Sequence, residues 1–230
     1  MHHPLTWTDQ GQPVSTAFDD PFFTGGTAEV RHVFMAGNDL PERLHDGFHI
    51  AELGFGTGLN LAVLAQLWAE ARKEVPGQKG SGQLRFTSFE AYPMAPADMA
   101  RALAPFALPA SDALVSGWAT AEGPIRRIAL PGISAEVIIG DAAETLPRWE
   151  GRADAWFLDG FAPARNPGLW SEALMAAVAA HTAPGGSAAT YTAAGHVRRA
   201  LAAAGFGVDR RPGFGRKKHM TAARMPEGPK

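Results

Sequence analysis

Short apolar runs alternate with stretches of helical periodicity along most of the chain. "FHIAEL", residues 48–53, is an apolar run that meets a glycine-rich turn. After it, Leu64, Leu67, Trp68 and Ala71 recur at the spacing of one buried helix face. "EVPGQKGSGQ" reads as a loop, "LRFTSFE" (84–90) as the next strand, and the proline-interrupted stretch from Pro93 to Trp118 as two short helices. "IRRIAL" and "AEVIIG" predict two strands with Pro131 and Gly132 as the turn between them. "DAAETLPRW" opens a helix with Asp141 in capping position, and "ADAWFLD" is a further buried strand. Trp170, Leu174 and Val178 put an apolar stripe on the helix that follows. "GSAATYT" and "GHVRRALAAAGF" repeat the strand-then-helix unit, and "GVDRR" with "KKHMTAAR" predicts a closing strand pair. Strands alternating with helices predict an α/β fold: a mostly parallel sheet covered on both faces, antiparallel at its C-terminal end. Ligands of such sheets bind beyond the carboxyl ends of the strands.

Composition narrows the class. The 230 residues suffice for one sizeable core and contain no internal repeat or low-complexity linker, so a single domain over 1–230 is expected. A net charge of −2 with 46% apolar residues suits a globular chain rather than a disordered one. No apolar run approaches the roughly 20 residues of a spanning helix, and "MHHPLTWTDQ" lacks the basic start and apolar middle of a signal peptide. No membrane association and a cytoplasmic location are therefore expected. With no cysteine there is no disulfide, thiolate metal site or catalytic thiol. His45 and His49 are four apart, but "HDGFH" leads into a strand, where that spacing makes no ligand pair, so no metal is expected. Between 196 and 219, Arg198, Arg199, Arg210, Arg211, Arg216, Lys217 and Lys218 face the single acid Asp209. Charge alone leaves two readings open, a footprint for phosphates or a solvated surface.

"ELGFGTGLN" places Gly54, Gly56 and Gly58 between the first buried strand and its helix. Glycines permit positive φ and let a ligand approach the backbone, while the helix start offers free N–H groups. The dinucleotide fingerprint fails, because Leu59 stands where its third glycine belongs, and no phosphate-binding G-x-x-x-x-G-K-[ST] is present. "WFLD" ends a buried strand on Asp159, a costly place for a carboxylate that nothing uses. Its structural alternative is the cap of a helix starting near Gly168.

The surviving pattern, acid-x-G-x-G-x-G, resembles motif I of class I methyltransferases that use S-adenosylmethionine. That resemblance implies a Rossmann-like, seven-stranded sheet. It puts Glu52 near the cofactor's methionine end, Glu90 on the ribose hydroxyls and Asp141 near the adenine amino group, with Gly54, Gly56, Thr57, Gly58, Asn60 and Asp159 completing the cofactor set. "FDDPFF", "VFMAGNDLPERL", "FEAYP", "FLDGFAPARNPGLW", "VRRAL" and "GFGRKKHM", in this order, narrow the likeness. They resemble the tRNA 5-methylaminomethyl-2-thiouridine methyltransferase family, found as one half of bifunctional MnmC proteins and as stand-alone MnmD enzymes.

This likeness implies methyl transfer from S-adenosylmethionine to the primary amine of 5-aminomethyl-2-thiouridine at the tRNA wobble position, giving S-adenosylhomocysteine. Asp159 would be the catalytic residue, chiefly an acceptor that orients the neutral amine and secondarily a proton acceptor. Phe161 and Asn166 would shape the substrate pocket, and Arg216, Lys217 and Lys218 would meet tRNA. It further implies an N-terminal extension (1–47) packed on a catalytic core (48–225). The chain ends soon after "GFGRKKHM", so no flavin-dependent half, no bound FAD and no obligate protein partner are expected. Two positions depart from the family pattern: His219 stands where an acid is expected, and Tyr191 where phenylalanine is expected. Two rival functions keep the fold, a methyltransferase for a small-molecule amine and a cofactor-binding protein without turnover.

Overall fold

The computed structural model describes residues 3–74 and 82–228, and the loop read at 74–83 lies mostly outside them. The chain opens with a small antiparallel sheet of β1 (Leu5–Trp7), β2 (Pro13–Ser15) and β3 (Asp20–Pro21). Strands this short carry no alternation to read, which is why the hydrophobic pattern does not reveal them. A helix α1 (Gly26–Val30) continues through irregular helical turns to Asn38. Then come β4 (His49–Leu53), α2 (Leu59–Glu74), β5 (Leu84–Glu90), α3 (Pro96–Leu103), α4 (Ser111–Thr120), β6 (Ile125–Leu130) and β7 (Ile133–Ile139). The last third holds α5 (Ala142–Thr145), β8 (Ala153–Leu158), α6 (Glu172–Ala180), β9 (Thr182–Thr190), α7 (Gly195–Ala203), β10 (Gly207–Pro212) and β11 (His219–Arg224).

The main sheet runs in the order β10-β11-β9-β8-β4-β5-β7-β6. Its five central strands are parallel, while β6 and the β10–β11 pair are antiparallel at the two edges. Eight strands stand where the family likeness implied seven. The eighth is β6: Pro131 and Gly132, the latter at φ 77°, form a tight turn that folds "IRRIAL" back along β7. As an edge strand it is exposed at alternate positions and carries Arg126 and Arg127, which discourages edge-to-edge pairing.

Every residue of β4 is buried, as a parallel strand covered on both faces requires. One core layer joins α2, α3, α4 and the helical segment 26–38 to the sheet through residues such as Phe34, Leu64, Met99 and Trp118. The other joins α6 and α7 through Leu174, Val178, Val197 and Leu201. Trp170, Leu174 and Val178 form the buried stripe that their spacing predicts.

Residues 26–43 are tied to the main sheet by specific bonds as well as by packing. Phe34 meets Phe157 with ring centroids 5.5 Å apart. The fully buried Asn38 donates to the Trp156 carbonyl at 3.2 Å and accepts from Ser187 Oγ at 2.6 Å. Arg43 donates to the carbonyls of Asp154 and Gly185.

After β4 the chain builds outward to β5 and β7, then returns to lay β8 against the opposite side of β4. The crevice at that reversal, beyond Leu53 and Leu158, is where an open α/β sheet takes its ligand.

Candidate active site

Gly54 follows β4 and Asp159 follows β8, so the reversal sets the glycine turn against the aspartate. Gly54 has φ 84°, and a Cβ there would stand 3.3 Å from the Asp159 carbonyl oxygen and from Gly160 Cα. Only glycine combines that backbone with that approach. Gly56, at φ 54°, faces the Phe22 ring, 3.3 Å from where a Cβ would be. Both line a cavity of ≈ 600 Å³ that also receives Thr57, Asn60, Glu90, Asp141 and Asp159. Gly58 is different. It does not line the cavity, and a Cβ on it would press on Leu114 and Phe55, so it seats the turn on α4 rather than facing a ligand.

The four acids expected at strand ends take four distinct positions. Glu90 lines the cavity, but its Oε2 accepts from Gly56 N at 2.8 Å and its Oε1 from Tyr92 N at 2.7 Å. It therefore braces the glycine turn as well as facing the cavity. Burial raises its pKa and these backbone bonds oppose the rise. Asp141 caps α5, accepting from Ala143 N at 2.9 Å, and lines the cavity from that exposed position.

Glu52 is 1% exposed and does not line the cavity, contrary to a position facing a ligand ammonium. Its Oε1 accepts from Asn60 Nδ2 at 2.8 Å and its Oε2 from Ser88 Oγ at 2.7 Å. The reason lies in β4 itself: Glu52 stands within the strand, one residue before its end, so its side chain points to the sheet face where it meets Asn60 of α2 rather than beyond the strand ends.

Asp159 is half-buried on the cavity wall. Its Oδ1 accepts from Gly160 N and its Oδ2 from Asn60 Nδ2, both at 2.8 Å. Burial pushes its pKa up to about 6, with the nearby Glu29 charge adding to the rise and the Lys217 charge, like the two hydrogen bonds, opposing it. It caps no helix: the turn Pro167–Trp170 has no side-chain cap. The loop after it is pinned at three points. Ala162 N donates to Asp20 Oδ2 at 2.7 Å, Tyr191 Oη donates to the Gly160 carbonyl at 2.8 Å, and Trp170 Nε1 donates to the Phe161 carbonyl at 2.9 Å. Asn166 lines the cavity and closes a turn onto the Ala162 carbonyl.

The opposite wall comes from segments the hydrophobic pattern did not tie to the site. Phe161 stacks on Phe18 at 4.6 Å and meets Phe22 edge-on at 5.2 Å, with His3 beside them. Buried Glu29 accepts from Gly25 N, Thr24 Oγ1 and, at 2.9 Å, Lys217 Nζ. Burial alone would raise the Glu29 pKa, but the Lys217 ammonium and the Gly25 N–H outweigh it and hold the carboxyl below its usual range. Lys217 Nζ also lies 3.9 Å from the Tyr191 ring centroid. "FDDPFF", "FLDGFAPARNPGLW" and "GFGRKKHM" carry sequence signals for parts of this wall, but their spacing says nothing of the contacts that bring them together.

The basic cluster divides. Lys217 turns into the cavity, and Arg211 pairs with Asp39 at 3.4 Å. Arg199, Arg210, Arg216 and Lys218 are exposed. Desolvation, then the charges of Arg210, Lys218 and Arg198, lower the His219 pKa. No helix among the described residues is long and apolar enough to cross a membrane.

A sheet with this reversal, a glycine turn beneath a cavity and acids at its strand ends define a nucleotide-type cofactor site. The model of a family of S-adenosyl-L-methionine-dependent methyltransferases matches residues 107–226, and the chain belongs to that family. Among curated proteins, the chain is 49% identical over 232 residues to the tRNA 5-methylaminomethyl-2-thiouridine biosynthesis bifunctional protein MnmC of Caulobacter sp. (strain K31). That match covers 97% of this chain and 38% of the relative. It is 44% identical to the protein of the same name from Pseudomonas aeruginosa (strain UCBPP-PA14), over 96% of this chain and 34% of the relative. The chain thus spans little more than a third of the length of these relatives. The crystal structure of MnmC2 from Aquifex aeolicus superposes with a TM-score of 0.74 at 22% identity, covering 99% of this chain and 72% of that one, which shows a shared fold.

Proposed function

We propose that this chain transfers a methyl group from S-adenosylmethionine to the primary amine of 5-aminomethyl-(2-thio)uridine at the wobble position of tRNA, in the cytoplasm. When bound, the cofactor supplies an electrophilic methyl on a sulfonium. The turn 54–57, braced by Glu90, would hold the cofactor's sugar side, and Asp141 its base. The fit rests on Gly54 and Gly56, which line the cavity at positive φ, and on a carboxylate at the end of β5 that lines it too.

The observation that carries the reading is Asp159. It stands at the sheet reversal on a loop pinned by Asp20, Trp170 and Tyr191, and it keeps lone pairs toward the cavity after bonding Gly160 and Asn60. With a pKa of about 6 it is mainly ionised at neutral pH. It would accept a hydrogen bond from the amine and hold the nitrogen lone pair in line with the methyl, and such alignment supplies a large share of a rate. A substrate ammonium with a pKa near 10 must first lose its proton, so a strongly anionic site would hinder catalysis, and a carboxylate bonded on both oxygens is a moderate one. Phe161 would wall the acceptor, with the adjoining aromatic rings offering a surface to a base.

For RNA as acceptor, the supporting feature is the exposed cations Arg199, Arg210, Arg216 and Lys218 on α7 and the β10–β11 hairpin. Among the described residues none of these forms an ion pair. Incubation with labelled S-adenosylmethionine and tRNA bearing 5-aminomethyluridine, followed by nucleoside analysis, tests the whole reading. A methylated nucleoside is expected, and label incorporated only into free amines would favour a small-molecule acceptor. Replacing Arg210 and Lys218 by alanine should flatten the salt dependence of tRNA binding by about one unit of slope for each phosphate no longer neutralised.

A further inference from the structure

Glu52 has a carboxyl that the cavity does not reach and that protein donors occupy on both oxygens. The same Asn60 amide that donates to it at 2.8 Å donates its second N–H to Asp159 Oδ2, also at 2.8 Å. An amide nitrogen has two hydrogens, and here both go to carboxyl groups. Turning the amide over would set its oxygen against two carboxyl oxygens, so the pair of acids fixes which way Asn60 points. Asn60 lines the cavity, and its Oδ1 has no protein donor among the described residues.

We propose that Glu52 is a positioning residue for this site. It touches neither cofactor nor acceptor, and it acts by holding the Asn60 amide so that Oδ1 stands beside the Asp159 carboxylate as a paired acceptor for one amino group. The inference rests on the methyltransferase reading for the amino groups on offer, the cofactor's α-ammonium and the acceptor amine. Burial raises the Glu52 pKa well above its ordinary value, although Ser88 and Asn60 oppose the rise. A neutral carboxyl performs the same task, with one oxygen accepting from Asn60 while the proton on the other goes to Ser88. Charge on Glu52 is then dispensable, and shape is not.

The test compares Glu52→Ala, Glu52→Gln, Asn60→Ala and the Glu52→Ala/Asn60→Ala double variant. Titration calorimetry uses S-adenosylhomocysteine and, lacking the amino group, 5′-methylthioadenosine; single-turnover methylation of tRNA is measured beside them. Glu52→Ala should lose about tenfold wherever Asn60→Ala does, the double variant should be no worse than Asn60→Ala, and Glu52→Gln should recover all but about threefold. Loss toward S-adenosylhomocysteine but not methylthioadenosine assigns the cofactor's ammonium to the paired acceptor, and loss in turnover alone assigns the acceptor amine. Glu52→Gln as impaired as Glu52→Ala would overturn the proposal, because the charge itself would then matter. So would equal losses toward both nucleosides, or losses that multiply in the double variant. If Glu52→Ala does not fold, Glu52→Gln against Asn60→Ala still decides. Calorimetry needs no tRNA, so a wrong acceptor leaves it standing.

Discussion

The floor and the far wall of the cavity are built in opposite ways. The floor, with Gly54, Gly56, Glu90 and Asp159, consists of residues that end or directly follow strands of one parallel sheet, and the backbone ladder sets the spacing of those strand ends. The wall, with His3, Phe18, Phe22, Glu29 and Lys217, is assembled from the N-terminal segment and the β10–β11 loop, which meet each other and Phe161 through side chains. Sheet geometry is rigid and repeats between proteins of one fold, whereas a wall of side chains can be retailored without disturbing the strands. Floor residues should therefore govern cofactor and chemistry, and wall residues the acceptor.

Asp159 offers the sharpest test of that division. Asp159→Asn should bind S-adenosylhomocysteine within a few-fold of the wild type but lose at least about a hundredfold in single-turnover methylation. The wild-type rate should rise with pH through about 6 as the carboxyl ionises, and further as the acceptor amine deprotonates, while the variant keeps only the second rise. Stability should move the other way. A carboxyl whose folded pKa is raised binds its proton more tightly when folded, so it favours the folded state most at acid pH. That stability is lost as pH climbs from the unfolded value of 3.8 to about 6 and changes little beyond. The full shift corresponds to about 3 kcal/mol of destabilisation at neutral pH. One Asn60 N–H would oppose the new amide, so Asp159→Asn should gain about 1–2 kcal/mol in denaturant unfolding. An active Asp159→Asn would make the aspartate structural.

Glu90 shows how far a sequence can carry such an assignment. Its place at the end of β5 follows from "LRFTSFE", read as a strand that ends on the acid. Its bonds to Gly56 N and Tyr92 N do not, because they depend on how the turn closes over the strand. A reading from sequence makes Glu90→Ala a clean loss of ligand contact. The structure predicts a double effect, about thirtyfold weaker cofactor binding together with roughly 1–3 kcal/mol of lost stability from two unpaired backbone donors. Calorimetry beside thermal unfolding separates the two, and an unchanged Tm would mean the turn does not lean on the carboxylate. Glu52 and Gly58 teach the same lesson: the motif names the loop, and burial decides which of its side chains meet the cavity.

Lys217 tests the wall. Sequence grouped it with Arg216 and Lys218 as a contact for tRNA, since charge runs carry no sign of which side chain turns inward. Its pairing with Glu29 and the Tyr191 ring makes it part of the cavity wall. Lys217→Met should raise the KM for the tRNA acceptor about tenfold and leave S-adenosylhomocysteine affinity within about twofold, because it removes a wall contact and spares the floor. It should also lift the pKa of Glu29, whose carboxyl would keep its burial and lose its main partner. An altered salt slope with an unchanged low-salt KM would return Lys217 to the outer surface.

The smallest effect belongs to the residue that joins the two regions. Tyr191 follows β9, its ring lies under Lys217, and its hydroxyl donates to the Gly160 carbonyl beside Asp159. Phenylalanine is the residue expected here from sequence, and the hydroxyl adds a third bond to a loop already held by Asp20 and Trp170. Burial, followed by the Asp159 charge, raises the phenol pKa far enough that it is neutral and a donor throughout the working range. Tyr191→Phe keeps the ring, and with it the support for Lys217, and removes one hydrogen bond of three. It should cost about 1 kcal/mol or less in stability and slow methylation about two- to threefold, with neither cofactor affinity nor the pH profile altered. A hundredfold loss would mean that the hydroxyl, not the carboxylate, presents the amine, and the acceptor role would then pass from the floor of the cavity to its wall.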